Sequence, residues 1–183
     1  MLLLDGTKHD QISIRFAEGP DDIHQACRLR YEVLTKQLGR RQYANDSDRT
    51  YQDKLDDGSS HIVLALCGKT VVGTLRFTIR RDATFLDEDE RLFSAILAQH
   101  DLNECALADR GAILPAYQKQ GLYPQLWKLG LDSLREQGIE WVFGVIDSDN
   151  PRLNEFHKSQ GWLFLQYRII EGDRPWNLIV KQL

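Results

Sequence analysis

The sequence predicts a mixed α/β fold, one domain over residues 1–183 with a mostly antiparallel central sheet of about six to seven strands flanked by helices. Three observations carry this expectation. Residues 61–67 and 70–80 are rich in β-formers and are joined by Gly68 and Lys69, the composition of a tight hairpin. Residues 139–146 (IEWVFGVI) are almost continuously apolar, as suits a strand covered on both faces. Residues 123–137 form a helix whose apolar stripes (Leu122, Leu126 and Leu129, then Trp127, Leu131 and Leu134) make a face broad enough to lie on a sheet.

The other elements follow in order. Ile12, Ile14 and Phe16 alternate with polar residues over 11–17, a first strand. Asp21 and Asp22 sit in a turn and can cap a helix over 22–38, with Ile23, Cys27, Leu29, Val33 and Leu34 inward and Gly39 at its end. Residues 42–57 carry Asp46, Asp48, Asp53, Asp56 and Asp57 and read as a mobile, solvated surface segment. A short helix over 87–99 has an acidic first turn, which suits the helix dipole. A strand covers 106–114. Gly138 closes the 123–137 helix, and Asn150 with Pro151 opens another that runs to Ser159 and ends at Gly161. Two last strands, 162–170 and 176–180, flank a turn over 171–175.

Composition narrows the function classes. A net charge of −4 argues against a general nucleic-acid binder. No apolar run approaches the ~20 residues that span a bilayer, so no membrane partner is expected. Residues 1–4 are too short for an export signal and lack a basic start, which points to the cytoplasm. Cys27, Cys67 and Cys105 are odd in number and read as reduced, buried thiols. No His, Cys, Asp or Glu cluster has metal-ligand spacing, so no metal is expected.

The stretch YQKQGLYP at 117–124 lies between a strand and a helix. Unpaired N–H groups and the helix dipole make such a junction suit a phosphate, and Gly121 lets backbone approach it. An ordinary turn is the alternative. Neither G-x-x-x-x-G-K-[ST] nor G-x-G-x-x-G occurs, so a phosphate here would rest on backbone and on Gln118, Lys119 and Gln120.

With this turn after the fourth strand, the order of elements resembles the GNAT superfamily of acyl-CoA-dependent N-acyltransferases. Gln118, Lys119, Gln120, Gly121, Leu122 and Tyr123 are similar to its pyrophosphate turn, [Q/R]-x-x-G-x-[G/A], with Tyr123 in place of the final small residue. Ile113, Leu114 and Pro115 resemble its V-x-P, whose backbone would pair with the donor's pantetheine arm. A second motif is similar over Asn150, Gly161 and Trp162; there Leu153 replaces a small residue and His157 replaces a tyrosine that commonly protonates the leaving thiolate. The N-terminal half is similar to the autoinducer (acyl-homoserine lactone) synthases and the long-chain N-acyl amino acid synthases, at Arg30, Asp53, Asp56, Arg76 and Arg110. Leu34 stands in place of an aromatic and Leu107 in place of a glutamate, which points to a broader N-acyltransferase.

The resemblance implies transfer of an acyl group from acetyl-CoA, a longer acyl-CoA or an acyl carrier protein to the amine of a small molecule or amino acid. It leaves open a plain acetyltransferase, a non-catalytic acyl-CoA-binding module and a homodimer. Asp109 is the candidate base and His157 the candidate acid, the latter because an imidazole of pKa ~6.5 can move protons at neutral pH. Arg30, Arg76 and Arg110 are candidates for binding an acceptor, and Arg76 and Arg110 equally for pairing with Asp53 and Asp56. Strand alternation predicts opposite directions for Asp109 and Arg110. Tyr123 and Pro124 predict a crowded turn with fewer free amides, hence weak donor affinity.

Overall fold

The structure, a computed structural model, describes residues 11–171 and 174–183. Seven strands form one sheet: β1 (Ile12–Phe16), β4 (His61–Cys67), β5 (Thr70–Ile79), β6 (Cys105–Ile113), β7 (Trp141–Asp147), β8 (Leu163–Glu171) and β9 (Arg174–Gln182). Their spatial order is β1-β4-β5-β6-β7-β9-β8. Every neighbouring pair is antiparallel except β6 and β7. Residues 1–4, read as no export signal, and the turn residues Gly172 and Asp173 lie outside the described residues.

Alternation along β4 sorts the helices. Val63 and Ala65 join the core layer under α3 (Leu122–Glu136), whereas Ile62, Leu64 and Leu66 join the layer under α1 (Pro20–Arg30). Phe93 and Leu97 of α2 (Asp87–Leu97) pack with Leu107 and Phe143 on a third cluster. Leu153 and Phe156 of α4 (Pro151–Ser159) join the α3 layer. Helix α3 comes close to β5 because Gly130 has no side chain: a Cβ there would lie 2.0 Å from the Phe77 ring.

Two expectations change. The helix expected over 22–38 is α-helical to Arg30 and then widens into π-helical turns over Tyr31–Gln37. The segment 42–57 is not a solvated loop. It holds two short paired strands, β2 (Ala44–Asn45) and β3 (Thr50–Tyr51), then a 3-10 turn over Lys54–Asp56, and buries Thr50, Tyr51, Leu55 and Asp56. Asp53 caps that turn, its carboxylate accepting from the Leu55 N–H at 2.9 Å, while the Asp56 carboxylate accepts from the Asp53 N–H at 3.1 Å. Of the cysteines, Cys27 and Cys105 are buried and Cys67 is partly exposed; all three are free. No helix among the described residues is long and apolar enough to cross a membrane.

Candidate active site

β6 and β7 pair only from Cys105–Trp141 to Ala108–Gly144. Beyond Ala108 the two parallel strands part, and the gap continues into a cleft of about 500 Å³. Its walls come from both layers of the fold. Val33, Leu34 and Arg110 border it on the α1 side, and Leu122, Tyr123 and Phe156 on the α3 side. The glycine turn and the start of α4 close one end.

Of the proposed donor residues, Ile113, Gln118, Lys119, Gly121, Leu122, Tyr123 and Asn150 border the cleft, whereas Leu114 and Gln120 do not. Gly121 caps α3 in the left-handed region (φ 75°), and Lys119 also has positive φ (62°). This geometry needs glycine at 121 and leaves the first-turn N–H groups of α3 without helical acceptors. The glutamine side chains turn back on the chain. Gln118 donates to the Ile113 carbonyl at 3.1 Å and Gln120 to the Ala116 carbonyl at 2.9 Å. The Leu114 N–H is taken by the Val72 carbonyl at 3.0 Å, so it is not the exposed pairing group expected from the sequence. Lys119 remains exposed at the turn.

Asn150 caps α4, its side chain accepting from the Leu153 N–H at 3.1 Å. Behind it, the buried Asn154 amide donates to the carbonyls of Asp147, Ser148 and Asn150, at 3.3, 3.0 and 2.8 Å. Asn154 thus fixes the loop that carries Asn150. Sequence reading passed over it because an Asn inside a helix carries no distinctive signal.

The arginines gather on the α1 side in a buried charge cluster. Arg76 donates from Nε and Nη2 to Asp109 at 2.8 and 2.7 Å, and from Nη1 and Nη2 to Asp53 at 2.6 and 2.9 Å. Its Nη1 also lies 3.2 Å from Asp56, so the whole guanidinium is spent on three carboxylates. Arg30 donates to Asp56 at 2.6 Å, and Arg110 to Asp53 at 2.9 Å. Three cations therefore face Asp53, Asp56 and Asp109. Burial opposes ionisation of Asp53, but Arg76 and Arg110 outweigh it and hold its carboxyl far below the usual range. Arg30 and Arg76 are fully buried and stand back from the cleft; Arg110 alone of the three borders it.

Asp109 and Arg110 do not point to opposite faces. The register slips between Thr74 and Arg76, and Arg110 takes a positive φ of 55°. This bulge inserts one residue into β6 and returns Arg110 to the Asp109 side, where Tyr43 and Tyr51 stack on its guanidinium at 4.6 and 5.5 Å. Tyr43 in turn donates to Glu88 of α2. Beside the cluster, Asp89 is buried, and its carboxyl is pushed up to about 8, first by burial and then by the charge of Asp109.

His157 is fully buried and does not border the cleft. The rings of Tyr123, Trp127, Phe156 and Trp162 surround it, with centroids at 6.0, 5.2, 5.2 and 5.1 Å. Burial lowers its pKa to about 4, so the ring is neutral at physiological pH and is not the direct acid expected from the sequence. The hydroxyl of Tyr123 is 3.2 Å from its Nε2. The ring of Tyr123 does not crowd the glycine turn as expected: it packs inward against Trp127 and Phe156. Among the described residues no group of three or more His, Cys, Asp or Glu side chains is arranged to hold a metal.

The parted parallel strands, the glycine turn and the capped second helix define an α/β fold with a cleft that opens beside a helix N-terminus. Residues 28–162 match the model of the acetyltransferase (GNAT) family, and the chain belongs to that family of transferases. Among solved structures, the N-acyl amino acid synthase FeeM from uncultured soil microbes is similar at a TM-score of 0.70 and 16% identity, over 94% of this chain and 90% of that one. The acyl-homoserine lactone synthase LasI is similar at a TM-score of 0.72 and 12% identity, over 94% and 90%. A GNAT-family acetyltransferase from Streptococcus pneumoniae is similar at a TM-score of 0.61 and 15% identity, over 94% and 100%. No curated protein sequence is significantly similar to the chain.

Proposed function

We propose that the chain, acting as one domain, moves an acyl group from acyl-CoA or an acyl carrier protein to the amine of a small molecule or amino acid. The observation that carries this reading is the early end of the β6–β7 pairing at Ala108 and Gly144, beside a helix N-terminus capped by Gly121. A thioester arm laid in that gap would meet the free edge of β6, and its phosphates would meet the α3 amides and Lys119. The apolar flank of the cleft, with Leu75, Trp127 and Ile179, suits the acyl group. Asp109 and Arg110 are charged groups that border the cleft on the acceptor side, and Arg40 borders it too.

In this reading the acceptor's carboxylate, where it has one, lies at Arg110, and its ammonium lies at Asp109. Arg76 donates to both Asp109 oxygens, which fixes that carboxylate in place and suits it to orienting the amine. FeeM is an N-acyl amino acid synthase, which supports an acceptor of the amino-acid class. Three free cysteines fit a reducing, cytoplasmic setting.

Radiolabelled acetyl-, octanoyl- and palmitoyl-CoA and acyl carrier protein, each incubated with an amine and amino-acid panel, test the reading. Labelled amide from at least one pair is the expected result. Donor binding without any transfer would favour a non-catalytic acyl-CoA-binding module instead.

A further inference from the structure

Two guanidiniums border the cleft on its acceptor side, and a plain amino acid has a carboxylate for only one of them. Arg110 belongs to the buried cluster with Asp53, Asp56 and Asp109. Arg40 borders the cleft from outside that cluster. The local fold puts it there. The π-helical turns over Tyr31–Gln37 end with Gly39 in the left-handed region (φ 70°), and the Arg40 N–H then bonds to the Leu34 carbonyl at 2.8 Å. Val33, Leu34 and Leu38 from the same stretch form the apolar wall beside it.

Aromatic rings hold both guanidiniums. Arg40 lies 4.4 Å from the ring centre of Trp176, which also borders the cleft, while Tyr43 and Tyr51 stack on Arg110. Stacking fixes the plane of a guanidinium and leaves its N–H edges for a planar anion. Tyr51 links the two groups. Burial pushes its phenol up, and the charges of Arg110 and Arg40 both oppose that rise. Both cations are thus within charge range of one buried ring. Asp53 takes Nε and Nη2 of Arg110, at 2.9 and 2.8 Å, and Nη1 carries the donors that remain.

The other charges at the cleft belong to its donor end. Lys119 stands at the glycine turn, and Arg152 lies in the first turn of α4. The Asp147 carboxylate accepts from the Asp149 N–H at 2.9 Å, in the loop that leads to α4. Apolar walls strengthen both the repulsion between two cations and their attraction for an anion. An amino acid with one carboxylate answers Arg110 alone. With an acidic side chain, each charge meets its opposite: the α-carboxylate at Arg110, the ammonium at Asp109 and the second acid at Arg40.

We infer that the acceptor is an amino acid with an acidic side chain and that Arg40, stacked on Trp176, selects it. The inference rests on the acyl-transfer reading and deepens it by naming the acceptor class. The acidic group accepts paired hydrogen bonds from the Arg40 fork, a geometry that carboxylate and phosphate share. A side-chain amide of the same shape brings no charge and sets its own N–H groups against the guanidinium, so it is rejected. Transfer itself is unaltered: nitrogen bonds to the thioester carbon, the C–S bond breaks, and the proton lost from nitrogen is balanced by the one gained on sulfur.

Initial rates on the full-length chain, with the acyl donor that gives labelled amide, test the inference. L-glutamate, L-aspartate and O-phospho-L-serine are each compared with an uncharged counterpart, L-glutamine, L-asparagine and L-serine. At least one acidic amino acid is expected to exceed its counterpart in kcat/KM by about 100-fold or more, and the best of the three tells carboxylate from phosphate. Arg40→Gln, shown to fold by a thermal melt, lowers that ratio by about 30-fold or more, mainly through the KM of the acidic acceptor. Arg40→Lys restores part of it, because the charge returns without the fork. A merely structural role for Arg40 would lower both rates together and leave the ratio unmoved. Equal rates on acidic and uncharged acceptors, or a ratio unmoved by Arg40→Gln, overturn the inference and leave acyl transfer standing. Weaker coenzyme A binding by Arg40→Gln with the ratio retained places Arg40 on the donor and also overturns it. No transfer from any donor to any amine overturns the acyl-transfer reading itself.

Discussion

Arg76 on β5 and Asp109 on β6 occupy one register position and are joined by two hydrogen bonds, at 2.8 Å from Nε and 2.7 Å from Nη2. The pair ties the strand that borders the cleft to a neighbour, and through Asp53 it ties both to the segment 42–57. Removing the guanidinium would take two hydrogen bonds from Asp109 and two from Asp53, leaving Asp53 with Arg110 and Asp56 with Arg30. Arg76→Met is expected to cost about 3–5 kcal/mol in urea unfolding. Arg76→Lys recovers little, because a point charge cannot serve three carboxylates at a planar fork. A loss under about 1 kcal/mol in the Met variant would mean that the cluster is not the clamp described here.

His157 makes stability depend on pH in a stated direction. Its folded pKa, about 4, lies below the ordinary 6.5, so the unfolded chain binds the proton more readily. The resulting stability is fully present above pH 6.5 and is lost as pH falls toward 4. His157→Gln does not titrate, so the difference in unfolding free energy between wild type and variant should shift in this window. Parallel curves across it would contradict the buried, neutral ring.

Asp89 acts in the opposite direction. Its folded pKa, about 8, lies above the ordinary 3.8, so its protonated form is favoured by folding. That contribution is present below pH 3.8 and is lost as pH rises toward 8. Asp89→Asn mimics the protonated acid and should be more stable than wild type at pH 8 and above, by on the order of 2 kcal/mol. Chemical denaturation at acidic and alkaline pH checks the sign.

Gly130→Ala tests how closely α3 lies on the sheet. The added methyl meets the Phe77 ring at 2.0 Å, and that ring is packed edge-on against Trp127. A destabilisation of about 1–3 kcal/mol is expected from overpacking. The usual helix-stabilising effect of alanine would prevail only if Phe77 moved freely.

The sheet was legible because its signals are local. Alternation over 11–17, the hairpin at Gly68 and the apolar run at 139–146 each report their own burial. The charge cluster was not legible from residue patterning. Aspartates in a polar stretch such as 42–57 read as solvated, and only the fold brings Asp53 to Arg76, 23 residues away. The bulge at Arg110 was hidden for another reason: one inserted residue leaves the apolar pattern of β6 nearly intact while reversing every direction after it. The glycine turn was legible as a helix entrance. Its side chains were not, because Gln118, Gln120 and Tyr123 all find partners within the protein.

The central claim is that the gap between β6 and β7 holds an acyl thioester by way of the turn at Gly121. Calorimetric titration of coenzyme A into wild type and Gly121→Val tests it most directly. Valine disfavours the positive φ of 75° that aims the α3 amides. The account predicts saturable binding by wild type and affinity weaker by at least about tenfold in the variant, some 1.4 kcal/mol. Equal affinity in the two proteins, or no binding of either coenzyme A or acyl carrier protein to wild type, would contradict it.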